Sequence, residues 1–401
     1  MRPRRGGPVS TGHAPVPPSF LDTVVHCHGS LALARANPQP DTDATREGNV
    51  AHKVAMLYAL ASTRDGIAPE SKCCVLPKLG DIIDGIRVDA EMVGGAKLYA
   101  EALEGFAGNP EQTIPIHRIH PGLIDPETGE ITEICFGTPD FWQYRHETKT
   151  LRITDYKYGH LYVEVYENYQ LIAYAAGALE LLAKTGVLEA DIIVEFLIVQ
   201  PRCYSADSPV REWVTSASNL RTYINEAAQA VADALAPNPK TKAGTHCLFC
   251  PARGICKTAH KASTAILEYA GTVEAMSQNP HEIGLRLNLI NAAITILKGV
   301  GTGLEEQAMQ MIRRGAVVPW FKIGHSTPRE VWTKPAATVA TLSVLAGKKI
   351  ALTEQAYAMT PKQAIKAGIP EALVRMFSTQ PHGKARLEAE SDASLARVFK
   401  R

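Results

Sequence analysis

The chain has 401 residues, of which 45% are hydrophobic and 21% are charged, and its formal net charge is +1. These values exclude a disordered or strongly basic protein and indicate a globular chain whose length favours two domains. No uninterrupted apolar run reaches the roughly 18 residues that span a bilayer, so we expect a cytoplasmic protein without a membrane partner. The eight cysteines are then better explained as thiols or metal ligands than as disulfides.

The charge is distributed unevenly along the chain. Residues 291–401 contain 16 Lys and Arg against 8 Asp and Glu, a balance of +8, and the residues before them carry a balance of −7. Residues 1–19 are rich in Pro, Gly and Arg, and no apolar stretch follows them. We therefore expect a flexible tail there, with no signal peptide.

The hydrophobic pattern predicts alternating helices and strands in the first two thirds of the chain. Helical spacing indicates helices at about 45–62 and 94–105, and later at about 167–184 and 217–235. β-rich runs lie at 113–120, 134–144, 151–156 and 191–200, with a polar hairpin connection at 145–150. Beyond residue 256 the chain is predicted to be helical to about 314 and mixed thereafter. This order predicts an α/β domain at 20–262 and a separate, mostly helical, basic accessory region at 263–401.

Two carboxylates and a lysine form the central motif. Asp140 ends the segment GTPD, and Asp155 and Lys157 follow as DYK at the end of the next predicted strand. Residues i and i+2 of a strand share a face, and the hairpin can bring Asp140 beside Asp155. Such a pair suits Mg²⁺ or Mn²⁺, and the lysine can stabilise charge that develops on a phosphate. The simpler alternative is a common tripeptide on a solvated strand.

This motif resembles that of the PD-(D/E)XK nuclease superfamily, in its RecB-like branch, and the resemblance covers roughly residues 20–260. It implies a restriction-endonuclease-like core, a mixed sheet flanked by helices, and a Mg²⁺- or Mn²⁺-dependent deoxyribonuclease. It also implies that His52, in GNVAH, is a third metal ligand. Gln170 and Tyr174, one helical turn apart in QLIAY, would then serve the same site. The chain departs from many relatives in having Asp155 where they have Glu.

Three cysteines form a second motif, Cys247, Cys250 and Cys256, with the spacing C-x2-C-x5-C. Such close thiols predict a metal site. The sequence leaves the fourth ligand open among Cys27, Cys73, Cys74, Cys135, Cys203 and a nearby histidine.

RecB-like nucleases of the AddB and CRISPR-adaptation kinds are similar, because an early cysteine and a late triplet bind a [4Fe–4S] cluster in them. The resemblance implies Cys27 as the fourth ligand. The cluster would then close a loop of about 220 residues and restrict the unfolded chain. The alternative is a structural Zn²⁺ held by four cysteines, or by three with His26, His28 or His246.

The region after residue 262 carries no catalytic motif. Its aromatic and basic residues favour either nucleic-acid stacking or a small core with a solvated face; they are Trp320, Phe321, Lys322, Arg329, Trp332 and Lys334. The whole chain resembles an uncharacterised family of phage-encoded RecB-like proteins. This implies phage DNA replication or recombination in the host cytoplasm, with DNA and phage single-strand-binding or replication proteins as partners.

The motifs together favour an exonuclease that hydrolyses phosphodiester bonds at DNA ends. The alternatives are a catalytically inactive DNA-binding protein that retains the nuclease fold, and a zinc-stabilised interaction protein of a phage replication complex. The presence of both carboxylates and the lysine favours the enzyme.

Overall fold

The structure is a computed structural model. It describes residues 14–39, 41–62, 76–103, 108–203, 208–270, 279–327, 330–332, 342, 344–347, 360–366, 368–380 and 385–389. The chain divides into two compact units, Met1–Val300 and Gly301–Arg401. Cys73, Cys74, Arg329 and Lys334 lie outside the described residues.

The helices are α1 (Leu21–His26), α2 (Ser30–Ala36), α3 (Asp43–Ser62), α4 (Ala90–Ala102), α5 (Tyr169–Lys184), α6 (Ala217–Leu235), α7 (Lys257–Ala270), α8 (Pro280–Arg313) and two short C-terminal helices, Pro361–Lys366 and Glu371–Arg375. The strands are β1 (Ile82–Ile83), β2 (Ile86–Arg87), β3 (Asn109–Pro110), β4 (Ile114–Pro115), β5 (Leu123–Ile124), β6 (Ile131–Thr132), β7 (Phe136–Gly137), β8 (Phe141–Arg145), β9 (Thr150–Tyr156), β10 (Ile193–Val199), β11 (Val210–Ser216), β12 (Phe321–His325), β13 (Val331–Trp332), β14 (Ser378–Thr379) and β15 (Ala385–Ala389).

The first unit is a mixed α/β structure around a five-stranded sheet with the order β11-β10-β9-β8-β3. Strands β9 and β10 are parallel, and the other neighbours are antiparallel. The parallel pair requires a crossover, which α5 provides between the two strands. The predicted hairpin of β8 and β9 is confirmed, with Phe141 opposite Thr154.

Helices cover the two faces of this sheet. On one face, α5 and α6 pack on Leu151, Ile153 and Phe196 in the larger core. On the other, α3 and α4 pack around Tyr156 and Val199. The cores bury opposite sides of the same strands because successive strand residues point to opposite faces. The mixed sheet is therefore held between helical layers.

Several predicted boundaries were wrong. The run at 113–120 forms only the short β4, because Pro115 and Pro121 cannot donate to a ladder. The run at 134–144 is divided into β7 and β8. Strand β11 was missed because its polar residues lie on an edge strand. The predicted flexible tail is already packed within its described residues, since Val16 is buried and its N–H donates to Ile134 O at 2.9 Å.

Helix α8 carries many exposed apolar side chains. Leu285 is 71% exposed and Leu287 is 55% exposed, whereas Ile296 and Val300 pack with Cys247. This packing agrees with the extent of the first unit, which ends at Val300. Among the described residues, α8 is the one helix that could cross a membrane by length and composition; buried core helices and signal sequences meet the same criterion.

The second unit has a small core of its own. Trp332, Leu342, Ile369 and Val374 are buried together within it. Strand β12 pairs with β15 and β13 with β14, so this region contains strands that the prediction of a mostly helical region lacked. Trp332 belongs to the core, whereas Trp320 and Phe321 are exposed.

Candidate functional site

Asp140 and Asp155 meet at one end of the central sheet. The register that pairs Phe141 with Thr154 places these two residues directly opposite each other at the next position. Asp140 Oδ2 accepts a hydrogen bond of 2.7 Å from the backbone N–H of Tyr156. The hairpin therefore fixes the two carboxylates on one face, as the sequence predicted.

Helix α3 brings His52 to the same place. Its Nδ1 lies 3.3 Å from Asp140 Oδ1, within hydrogen-bonding distance. The imidazole also stands edge-on to the Tyr156 ring, with the ring centroids 5.3 Å apart. Val50 and Val54 anchor this helix in the core, which directs His52 toward the carboxylates.

A hydrogen-bond network links the remaining predicted residues. Lys157 Nζ donates to Asp155 Oδ1 at 3.2 Å and to Gln170 Oε1 at 3.0 Å. The amide nitrogen of Gln170 donates to Asp155 Oδ1 at 3.1 Å and to the Tyr174 hydroxyl at 3.2 Å. Asn168 caps the helix at the backbone N–H groups of Gln170 and Leu171, which holds its first turn at the site. Gln170 thus orients both Lys157 and Asp155.

The two carboxylates differ in their electrostatic surroundings. Burial raises the pKa of Asp155, which the Lys157 ammonium opposes only in part. Burial acts in the same direction on Asp140, but the charge of His52 and its hydrogen bond lower the pKa of Asp140 below its usual value. Burial alone would lower the pKa of His52, yet the charge of Asp140 and its hydrogen bond raise that pKa. One carboxylate is therefore firmly ionised, while the other gains from a further cation.

The donor set fits a hard divalent cation, although the side chains at present bond to one another. Across the described part of the chain, no three His, Cys, Asp or Glu side chains stand in an arrangement that could hold a metal ion as they are. Asp155 is only 3% exposed, and its Oδ2 forms an ion pair with the Lys157 ammonium at 2.9 Å. A divalent cation bound at this carboxylate would share it with Lys157.

Cys27, which is distant in sequence from the other three cysteines of the motif, contacts the chain just before them. The backbone N–H of Lys242 donates to Cys27 Sγ at 3.3 Å, and the N–H of Gly29 donates to Lys240 O at 2.8 Å. The chain at Cys27 is thereby attached to the segment before Cys247. Cys27, the fourth ligand implied by the resemblance, therefore contacts the segment that leads into the triplet.

Three of these four cysteines are buried, and Cys256 is half-buried. Burial, followed by the neighbouring thiols of Cys247, Cys27 and Cys256, raises the pKa of Cys250 to about 11. Gly244 N–H donates to Cys247 Sγ at 3.4 Å, and Ala252 N–H bonds to Cys250. Backbone N–H groups directed at sulfur offset part of this rise, and cysteine sulfurs are the donors that a soft metal or an iron–sulfur cluster takes.

The histidines proposed as substitute ligands have other partners. His246 Nε2 lies 2.9 Å from Lys242 O, and the His26 and His246 rings are stacked with their centroids 5.8 Å apart. His28 Nδ1 lies 3.6 Å from Asp233 Oδ2. Of the other candidate cysteines, Cys135 is buried in the main core, where burial raises its pKa to about 12.

The comparison with known families covers nearly the whole chain. Residues 13–394 match the model of a family described as a protein of unknown function, DUF2800. The chain belongs to the DUF2800 family. No curated protein matches it. The description of the family states no activity, so the side chains of this DUF2800 protein are what indicate its function.

The DUF2800 chain has further residues at the carboxylate site that the sequence analysis missed. Glu111 follows β3, and its backbone N–H donates to Asp140 O at 3.2 Å. The Tyr99 hydroxyl is buried near Asp140, Asp155 and Glu111; burial, followed by these charges, raises its pKa well above the usual value. Tyr99 has the helical spacing of a core residue and Glu111 belongs to no motif, so no local signal identified them.

A cavity of about 390 Å³ opens beside the carboxylate site. His52 and Asn49 line it from α3, and Glu111 lines it from the end of β3. Arg46 and Lys53 lie at the same cavity, and each is paired with an aspartate, Asp43 and Asp84 respectively. The site is therefore accessible on the side that His52 and Glu111 share.

Proposed function

We propose that this DUF2800 protein is a Mg²⁺- or Mn²⁺-dependent DNA nuclease of the RecB-like PD-(D/E)XK type. The observation that carries the proposal is the set of Asp140, Asp155 and Lys157 on neighbouring strands, with His52 beside them. The surrounding architecture agrees with a PD-(D/E)XK core, since the antiparallel β8–β9 pair, the parallel β9–β10 pair and the flanking helices form one mixed sheet. An exonuclease acting at DNA ends in phage replication or recombination is the specific form proposed.

Each residue has a role in this chemistry. Asp140 and Asp155, with His52, would hold the cation, which when bound polarises the phosphate and lowers the pKa of an attacking water. Lys157, oriented by Gln170 at 3.0 Å, is placed to stabilise negative charge that develops on the phosphate. Tyr174 holds the amide of Gln170 at 3.2 Å and thus acts as a positioning residue.

The cysteines are proposed to hold a [4Fe–4S] cluster as a structural element, with Zn²⁺ as the alternative. Cys27 lies at the end of α1, whereas the other three ligands follow α6 and the sheet. A cluster there would join both ends of the nuclease fold. Its role would be to stabilise the domain, because none of the four sulfurs bonds to the carboxylate network among the described residues.

The products formed from labelled DNA test this proposal. Labelled linear duplex, linear single strand and closed circle are each incubated with and without Mg²⁺ or Mn²⁺, and any cleavage should require the cation. An exonuclease releases label from the linear substrates and leaves the closed circle intact. Binding of DNA without cleavage under any of these conditions would instead favour an inactive DNA-binding protein.

A further inference from the structure

Helix α8 carries an apolar seam that follows a heptad repeat. The seam positions are separated alternately by four and three residues; they are Ile283, Leu287, Ile290, Ile294, Leu297, Gly301, Leu304, Ala308 and Met311. A straight helix has about 3.6 residues per turn, so a strict seven-residue repeat stays on one line only when the helix supercoils around a partner. The 28 steps from Ile283 to Met311 make four heptads, a length that is typical of a coiled coil.

This seam is exposed, whereas another side of the same helix is buried. The seven large side chains of the seam are each between 37% and 55% exposed. Ile296 and Val300, which are not seam positions, pack with Cys247 and Ala259 in the first unit. The contacts that attach α8 to its own unit therefore leave the seam accessible to a partner.

The exposed area of the seam is large enough for a specific interface. At the observed exposure, the seven large side chains present an apolar area on the order of 400 Å² in each copy. A pair of such helices would bury about twice this area from the seams alone. With the flanking positions added, the total reaches the range of specific interfaces, which begins at about 1,200 Å².

The two halves of the seam differ in the volume of their side chains. The half from Ile283 to Leu297 contains only large residues, whereas the other half includes Gly301 and Ala308. In a parallel pair of identical helices, each seam residue faces its own copy. Gly301 would then face a second glycine and leave a cavity in the seam, which is unfavourable.

An antiparallel pair removes this cavity, because the half with large residues then faces the half with small ones. In one register the facing residues are Ile283 and Ala308, Leu287 and Leu304, Ile290 and Gly301, and Ile294 and Leu297. This register brings Lys298, which flanks the seam, near Asn291 of the second copy. A shift by one heptad would instead bring the two Lys298 side chains together, so charge and volume favour the same register.

We propose that α8 is a self-association surface, on which a second copy of this chain binds through an antiparallel coiled coil of the two seams. The occupant is a second copy because the large half of the seam is complementary to the small half of the same seam. Two-fold symmetry then makes every contact occur twice. This proposal is independent of the nuclease function.

The test measures the molar mass of the full chain by sedimentation equilibrium. Wild-type protein should approach twice the 43.4 kDa of one chain as its concentration rises. Leu287→Glu places a charge in the seam at both ends of the pair and should weaken the dimer on the order of a hundredfold or more. The matched control is Leu285→Glu, because Leu285 is 71% exposed but is not a seam position, and this variant should remain dimeric. Equal dissociation of both variants would overturn the proposal.

A charge pair across the two copies tests the antiparallel register. Leu304→Lys should dissociate the dimer as Leu287→Glu does, and circular dichroism should show that both variants remain folded. The two substitutions combined in one chain should restore the dimer, because the register places position 287 of each copy opposite position 304 of the other. Within one helix these positions are about 25 Å apart and cannot pair. A combined variant that stays monomeric would overturn the antiparallel pairing.

Vesicles test the other occupant that an exposed apolar helix could have. Wild-type protein should remain in solution when it is mixed with phosphatidylcholine vesicles and separated by flotation, since the dimer buries its seams. Wild-type protein that is monomeric up to its solubility limit, or that floats with the vesicles through the residues of the seam, would overturn the proposal.

Discussion

The carboxylate site and the cysteine site are built in different ways. The carboxylates come from strands joined by a short hairpin, and side chains hold them through the network of Lys157 and Gln170. The cysteines come from two ends of a domain, and backbone N–H groups donate the hydrogen bonds that Cys27 and Cys247 accept at sulfur. The first site depends on local geometry and the second on correct closure of the fold. Substitutions at the carboxylate site should therefore affect catalysis, and substitutions at the cysteine site should affect the stability of the fold.

The largest expected effect is on catalysis. Asp140→Ala removes a cation ligand and the partner of His52, so DNA cleavage with Mg²⁺ should be abolished. Lys157→Ala should slow cleavage on the order of 10²-fold or more while Mn²⁺ binding persists. Single-turnover cleavage measures the rate for each variant, and Mn²⁺ titration measures its cation binding. Iron content and colour should stay unchanged in these variants, and their loss would contradict the independence of the two sites.

The second largest expected effect is on the iron content and the stability that the cysteine site provides. Cys27→Ser should lose the brown colour and the iron of protein purified without oxygen, and should lower the stability of the first unit. The loop of about 220 residues that Cys27 closes implies a loss of unfolding free energy on the order of 5 kcal/mol from chain entropy. Cys135→Ser is the matched control, since this buried thiol lies in the main core and should keep the iron. Full iron in Cys27→Ser would exclude Cys27 as a ligand, and zinc without iron in wild-type protein would favour the alternative metal.

A smaller effect is expected at His117, which is held between two glutamates. Its Nε2 lies 2.9 Å from Glu133 Oε1, and its Nδ1 lies 3.0 Å from Glu180 Oε1. The hydrogen bond to Glu133, followed by that to Glu180, raises the pKa of His117. The protonated form therefore stabilises the fold below the ordinary histidine pKa near 6.5, and this contribution is lost as the pH rises through the raised value.

His117→Gln tests this pair of contacts. The ion pairs of His117 with the two glutamates are partly exposed, so solvent screening weakens them. At pH 5.5 the unfolding free energies of wild-type protein and His117→Gln should therefore differ by only about 0.5 kcal/mol. The difference should shrink toward zero at pH 9, as urea titrations at both pH values would measure. A difference that grows with pH would contradict the assignment.

The smallest effect is expected from the basic second unit. Arg313, Arg314, Lys362 and Lys366 are exposed. If they neutralise DNA phosphates, replacing all four with Gln should weaken binding and reduce the slope of log K against log salt by up to about 0.9 for each phosphate that is no longer neutralised. Cleavage at saturating DNA should remain. An unchanged salt slope would remove these residues from the DNA-binding surface.

The sequence predicted the carboxylate site from its own residues, but it predicted the distant member of the cysteine site only through a resemblance. Helix α6 has the bounds expected from its apolar spacing, and β9 and α5 differ from theirs by one or two residues. Asp140 and Asp155 could be placed together because a short hairpin leaves few alternatives. Cys27 was reached only through a resemblance, since spacing says nothing about contacts across more than 200 residues. Glu111, which lines the cavity with His52, was missed because it belongs to no motif.

The central claim is tested most directly by the rate at which label is released from linear duplex DNA by wild-type protein and Asp155→Ala, each with and without Mg²⁺. We predict release by wild-type protein only with Mg²⁺, and none by Asp155→Ala under either condition. Release by Asp155→Ala at the wild-type rate, or by wild-type protein without any divalent cation, would contradict it.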